Sequence, residues 1–172
     1  MGSDVEGFRA YVSARLPALR RVAYLLSGDW HRADDLLSAA LVRVLQHWAR
    51  VSAAQDVDAY VRRVLVRTML NERRRPWRRE HAMDSVPHVP DPAADPDRVA
   101  QRLALEGLLR ELPPRRRAVL VLRYCCDLSV EETALALGCS TGTVKSQAAR
   151  GLATLRERLS DGEATEEELW TR

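Results

Sequence analysis

Residues 129–159 read SVEETALALGCSTGTVKSQAARGLATLRERL, and the order of residue types in that stretch decides the fold. Ser129 followed three residues later by Glu132 is a capping box, which starts a helix by satisfying two orphan backbone donors reciprocally. Val130, Ala134 and Leu137 fall on one face of that helix. Gly138 supplies a residue that can end it in the left-handed region. Ser140 or Thr141 can cap the next helix through a side-chain oxygen. There Val144, Ala148, Leu152, Leu155 and Leu159 share one apolar stripe, and Thr143, Lys145, Ser146, Gln147 and Arg150 lie opposite. Two helices, a turn of about four residues and a polar, basic start to the second make a helix-turn-helix. The DNA major groove admits one helix, and residues near its start touch base edges. A core hairpin with a solvated polar face gives the same coarse pattern, so the surrounding sequence must separate the two readings.

Upstream, Pro113 or Pro114 opens a helix with Val119, Leu120 and Leu122 facing inward, and Cys126 as a further candidate. Arg115, Arg116, Arg117 and Arg123 can neutralise phosphates beside the second helix of the hairpin. Before it a helix starts near Pro96 or Asp97, with Val99, Leu103, Leu105, Leu108 and Leu109 apolar. Residues 80–97 change character. Pro87, Pro90, Pro92 and Pro96 exclude a helix there, and Asp84, Asp91, Asp95 and Asp97 make the stretch an acidic, extended linker. At the front of the chain three segments repeat apolar residues at helical spacing: Phe8–Ser27, where Pro17 should bend or split the helix, Trp30–Trp48, and about Asp56–Arg75. Three amphipathic helices with short connections can bury one core.

The 172 residues hold one domain or two small ones. Aromatic content is 5% and strand-like alternation is absent, so the fold class is all-α. The formal charge of +3 is unevenly spread, with a basic N-terminal half and an acidic tail at Asp161, Glu163, Glu166, Glu167 and Glu168. Such asymmetry points to a nucleic-acid face. Cys125, Cys126 and Cys139 form no disulfide framework, and a reducing, cytoplasmic location is expected. No metal site, no cofactor and no membrane span is expected, since ligand spacing and long apolar runs are both missing. No P-loop, HExxH or nucleophile elbow occurs, so no catalytic residue is assigned.

Two further features carry chemistry. Asp34 and Asp35 compensate the positive end of a helix, or serve as a contact surface. An enzyme built on them with His31 would need a second acid pair, which is absent. The stretch NERRRPWRR, Asn71–Arg79, places Arg73, Arg74, Arg75, Arg78 and Arg79 around Trp77. A solvated helix end accounts for some of these cations. Their density suits a basic patch that tracks a nucleic-acid backbone, with an aromatic that stacks on a base.

The run LSVEETALALGCSTGTVKSQAARGL resembles the promoter-reading region of bacterial RNA polymerase sigma factors of the extracytoplasmic-function group. Leu128, Ser129, Glu132, Ala134, Leu137, Gly138, Gly142, Thr143, Val144, Lys145, Ser146 and Arg150 carry the resemblance. WHRADDLLSAALVRVLQHW is similar to the segment that docks on the polymerase clamp, and DAYVRRVLVRTMLNERRRPWRR to the segment that melts and reads the minus-10 element. The resemblance implies a domain over 1–79, a linker over 80–97, a helix-turn-helix domain over 98–160 and an acidic tail over 161–172. It implies minus-35 contacts from Arg117, Thr143, Lys145, Ser146, Gln147, Ala149 and Arg150. It implies minus-10 contacts from Arg63, Arg67, Asn71, Arg74, Arg75, Trp77 and Arg78, and polymerase contacts from Asp34, Asp35, Leu36, Leu37, Leu41 and Arg43. Of Leu36, Leu37, Leu41 and Val44, some should be exposed beside Asp35, being more than one side of a core needs. The chain departs from the group at Ser38-Ala39, where Gln-Glu is common, at Arg67 for Asn, at Asn71 for Asp, and at Gln147 and Leu152, where basic residues are common. The implied partners are core RNA polymerase and promoter DNA, with an anti-sigma factor as a common further partner of the group. The rival readings are a helix-turn-helix regulator that acts without polymerase, which leaves Asn71–Arg79 unused, and an interaction module resting on the acidic tail.

Overall fold

The computed structural model describes the backbone of residues 2–72 and 96–169 and the side chains of residues 4–71 and 99–160. Helix α1 spans Gly2–Ser27, α2 Trp30–Gln46, α3 Trp48–Val51 and α4 Val57–Glu72. After the undescribed stretch come α5, Pro96–Glu111, and α6, Pro114–Leu120, which runs on into a π-helical turn, Val121–Cys125. Helices α7, Val130–Leu137, and α8, Thr141–Leu169, complete the fold, and no strand occurs among the described residues.

Pro17 does not split α1. A proline inside a helix removes one donor and crowds the carbonyl four residues back, here that of Ser13. Both residues are exposed, so water can serve the freed carbonyl. The turns on either side are anchored: Phe8 and Tyr11 pack on Trp48 with ring centroids 5.4 Å apart in each case, and Leu19, Ala23 and Leu26 enter the core. Helix α1 ends through Gly28, whose φ of 80° lies in the left-handed region and whose N–H donates to the Tyr24 carbonyl at 2.7 Å. Asp29 then caps α2, accepting from the Arg32 N–H at 2.9 Å. Helix α2 stops two residues earlier than its apolar spacing suggests, and Trp48 begins the short α3.

The N-terminal core is closed by Leu26 of α1, Leu36 and Val44 of α2, Val51 of α3, and Val61 and Leu65 of α4, all buried to 2% exposure or less. Each leucine contributes roughly 1.5–3 kcal/mol by leaving water. The C-terminal core joins Val119–Leu122 to Val144, Ala148 and Leu155 of α8. Gly151, not Leu152, completes the buried stripe of α8. A Cβ there would lie 3.0 Å from Leu120 Cδ1, so the missing methyl sets how closely α6 and α8 approach. Leu159 is exposed, beyond the reach of this core.

The two groups of helices are not held apart. Helix α7 lies on α4, and α1 touches α5, α6 and the π-helical turn. The linker over residues 80–97 lies outside the described residues up to position 95, and α5 opens on Pro96. The acidic tail continues α8 as backbone helix to Leu169.

Candidate nucleic-acid and polymerase interfaces

The helix-turn-helix forms as its local chemistry directs. Glu132 N–H donates to Ser129 Oγ at 3.0 Å, and Ser129 N–H donates to Glu132 Oε2 at 2.6 Å. Gly138 closes α7 with φ 64° and ψ 44°, and the Cys139 N–H reaches back to the Ala134 carbonyl at 3.0 Å. Ser140 caps α8, accepting from the Thr143 N–H at 3.1 Å, and its hydroxyl meets that of Thr143 at 2.9 Å. Val144 and Ala148 hold the start of α8 against the core. Lys145, Ser146, Ala149 and Arg150 are therefore exposed on its outer surface, with Thr143 and Gln147 half-buried at the edges. The Ser146 hydroxyl donates to the Thr143 carbonyl at 3.0 Å, which leaves its oxygen free as an acceptor.

Arg117 does not join that surface. It is 3% exposed, and its Nη1 lies 2.8 Å from where a Cβ on Gly28 would be. The packing of α6 against the end of α1 turns this residue inward, away from any DNA on α8.

On α4, Asn71 is exposed, Arg63 is half-buried, and Arg67 is exposed yet engaged. Its Nε donates to the Ala136 carbonyl and its Nη2 to the Leu135 carbonyl, each at 3.3 Å. Arg74, Arg75, Trp77 and Arg78 lie outside the described residues.

On α2 the structure sorts the apolar residues differently from the spacing. Leu36 and Leu37 are 2% and 4% exposed and serve the core, as does Val44, while Leu41 is half-buried. The solvent stripe is Asp35, Ser38, Val42 and Leu45, with Val42 at 56% and Leu45 at 43% exposure. Val42 and Leu45 were legible only as apolar positions of α2, because which side α1 and α4 cover is a tertiary fact. Asp34 is held within the protein: Arg20 Nε and Nη2 donate to its two oxygens at 2.6 and 2.8 Å. That guanidinium keeps the Asp34 carboxyl below its ordinary value, and it also stands 4.9 Å over the Trp30 ring. Arg43 Nη1 donates to the buried Thr68 hydroxyl at 3.0 Å, tying α2 to α4. Among the described residues no group of His, Cys, Asp and Glu could hold a metal ion, and no helix is long and apolar enough to cross a membrane.

Residues 11–79 match the family Sigma-70 region 2, and residues 102–155 match Sigma-70, region 4. The chain is 42% identical to an RNA polymerase sigma-E factor of Streptomyces avermitilis over 91% of its own length and 87% of that protein. It is 32% identical to the ECF RNA polymerase sigma factor SigE of Mycolicibacterium smegmatis over 81% of its own length and 56% of that protein. The chain belongs to the extracytoplasmic-function sigma factors. As an alternative sigma factor it directs transcription, and the polymerase-independent regulator is not favoured, because it leaves the match over residues 11–79 without a role. The fold of this sigma factor is also that of the sigma factor RpoE of Bartonella quintana, solved in complex with the anti-sigma factor NepR. That likeness has a TM-score of 0.73 and 24% identity, covering 90% of this chain and 98% of that one.

Proposed function

We propose that this sigma factor binds core RNA polymerase through α2, reads duplex minus-35 DNA with α8, and opens the minus-10 element with α4 and the arginine-rich stretch after it. The observation that carries the reading is the outer surface of α8, where Lys145, Ser146, Ala149 and Arg150 stand free while Val144 and Ala148 are spent on packing. Arg150 can give a guanine edge two hydrogen bonds, and Lys145 can neutralise a phosphate. Residues 1–79 and 98–160 act as two reading units joined by 80–97. Asp35, Val42 and Leu45 form the polymerase contact, an acid beside an apolar pair; Leu36 and Leu37 support it from beneath. The protein acts in the cytoplasm and performs no catalysis itself. An anti-sigma factor, which the RpoE neighbour is described as binding, is a fitting partner for the same surfaces.

The test is run-off transcription with purified core polymerase and promoter fragments from the protein's own genome. Transcripts that require both elements and the added protein are expected. Duplex binding with no polymerase-dependent transcript would favour the stand-alone regulator instead.

A further inference from the structure

Three polar features occupy the seam between the two groups of helices. Arg67 of α4 gives both arms of its guanidinium to the last turn of α7, at 3.3 Å from the Leu135 and Ala136 carbonyls. The final carbonyls of a helix have no intrahelical partner and carry the negative end of its dipole. Paired acceptor oxygens with negative character are also what a phosphate offers a guanidinium fork. On the other side of the seam Glu106 of α5 is 5% exposed, with Oε1 at 3.2 Å from Arg21 Nη2 of α1 and 3.1 Å from Arg102 Nε of its own helix. Between them Arg117 and Arg110 close over Gly28.

We infer that this seam is a self-masking clasp, in which the helix-turn-helix covers the minus-10-reading side of α4 and Arg67 serves either α7 or DNA, never both. The inference rests on the assignment of α4 to the minus-10 strand. Its consequence is a linked equilibrium: the apparent affinity for that strand is the intrinsic affinity reduced by the fraction of molecules that are open. Arg67 is the residue through which closure and strand binding compete, and Glu106 with Arg21 sets how often the seam opens.

The test uses the full-length protein without polymerase. Glu106→Gln and Arg21→Ala weaken the seam without altering α4. Each variant is compared with the wild type in far-ultraviolet helix signal, in amide hydrogen exchange over α4 and α7, and in binding of a fluorescent single-stranded minus-10 oligonucleotide. Unchanged helix signal, faster exchange at the α4–α7 contact and about five- to tenfold tighter oligonucleotide binding are expected. Arg67→Ala should speed exchange in the same places yet weaken oligonucleotide binding. If Glu106→Gln loses helix signal, the partly exposed Arg21→Ala carries the comparison. Faster exchange with unaltered oligonucleotide affinity would overturn the inference, as would exchange that stays at the wild-type rate in both variants. Variants that open but bind no oligonucleotide would show instead that the assignment of α4 is wrong, and the inference falls with it.

Discussion

Arg150 and Gln147 sit one turn apart on α8 and should answer substitution in different ways. Arg150 is exposed and can reach a base edge, so Arg150→Ala should cost about 1–3 kcal/mol of minus-35 binding and relax preference at one base pair. Gln147 neutralises no phosphate, so Gln147→Arg should tighten binding to every sequence alike and steepen the salt slope by about one. Titration of the full-length protein against duplex at several salt concentrations reads both. A sharpened sequence preference at constant slope would make Gln147 a base reader. Cys126 offers a simpler check: burial pushes its thiol up to about 11, so it should resist iodoacetamide near neutral pH until the protein is unfolded. Asp34 titrates below its ordinary value because Arg20 bonds its charged form. The stabilisation from that pair is complete above the ordinary carboxylate range and is lost as pH falls through the lowered value. Both partners are largely exposed, so Arg20→Ala should raise the Asp34 titration, followed by carboxyl NMR, with little change in melting temperature.

Among the elements, α7 and its turn were legible before any coordinates because their signals are local. Ser129, Glu132, Gly138 and Ser140 each act on a backbone group within a few residues. Ser129→Ala should therefore cost about 1 kcal/mol in chemical denaturation, as the loss of a cap does. Helix α2 was only half legible. Its apolar residues run nearly all the way round, and the choice of Leu36 and Leu37 for the core, with Val42 and Leu45 left in water, is made by α1 and α4. For the same reason Asp35→Arg and Val42→Asp should each weaken co-purification with core polymerase while leaving the helix signal unchanged. A Leu36→Ala change should instead lower stability by about 2–5 kcal/mol, the range for a buried leucine. The continuity of α1 through Pro17 was hidden too, because what holds it, Trp48 against Phe8 and Tyr11, comes from more than thirty residues away.

For the molecule as a whole, nothing in the chain announces that the two groups of helices meet. Arg21, Arg67 and Glu106 read as ordinary surface charges, and only folding makes them a seam. Gly28 lies where that seam is tightest. Gly28→Ala would combine a left-handed backbone with a methyl set against Arg117 and Arg110, and should lower stability by about 1–2 kcal/mol in equilibrium unfolding. The π-helical turn after α6 bears on the same contact through chain length. There the Cys126 N–H reaches back five residues to the Val121 carbonyl at 3.0 Å, so the helix holds one residue more than an α-helical path would. Deleting a single residue between Val121 and Cys125 would restore the ordinary pitch, and everything downstream would swing by about 100° around the axis of α6. The helix-turn-helix would keep its own fold but arrive out of phase with α4. In this protein a one-residue deletion acts as a rotation rather than a shortening, and a compensating insertion elsewhere in the same helix should bring the two halves back into step.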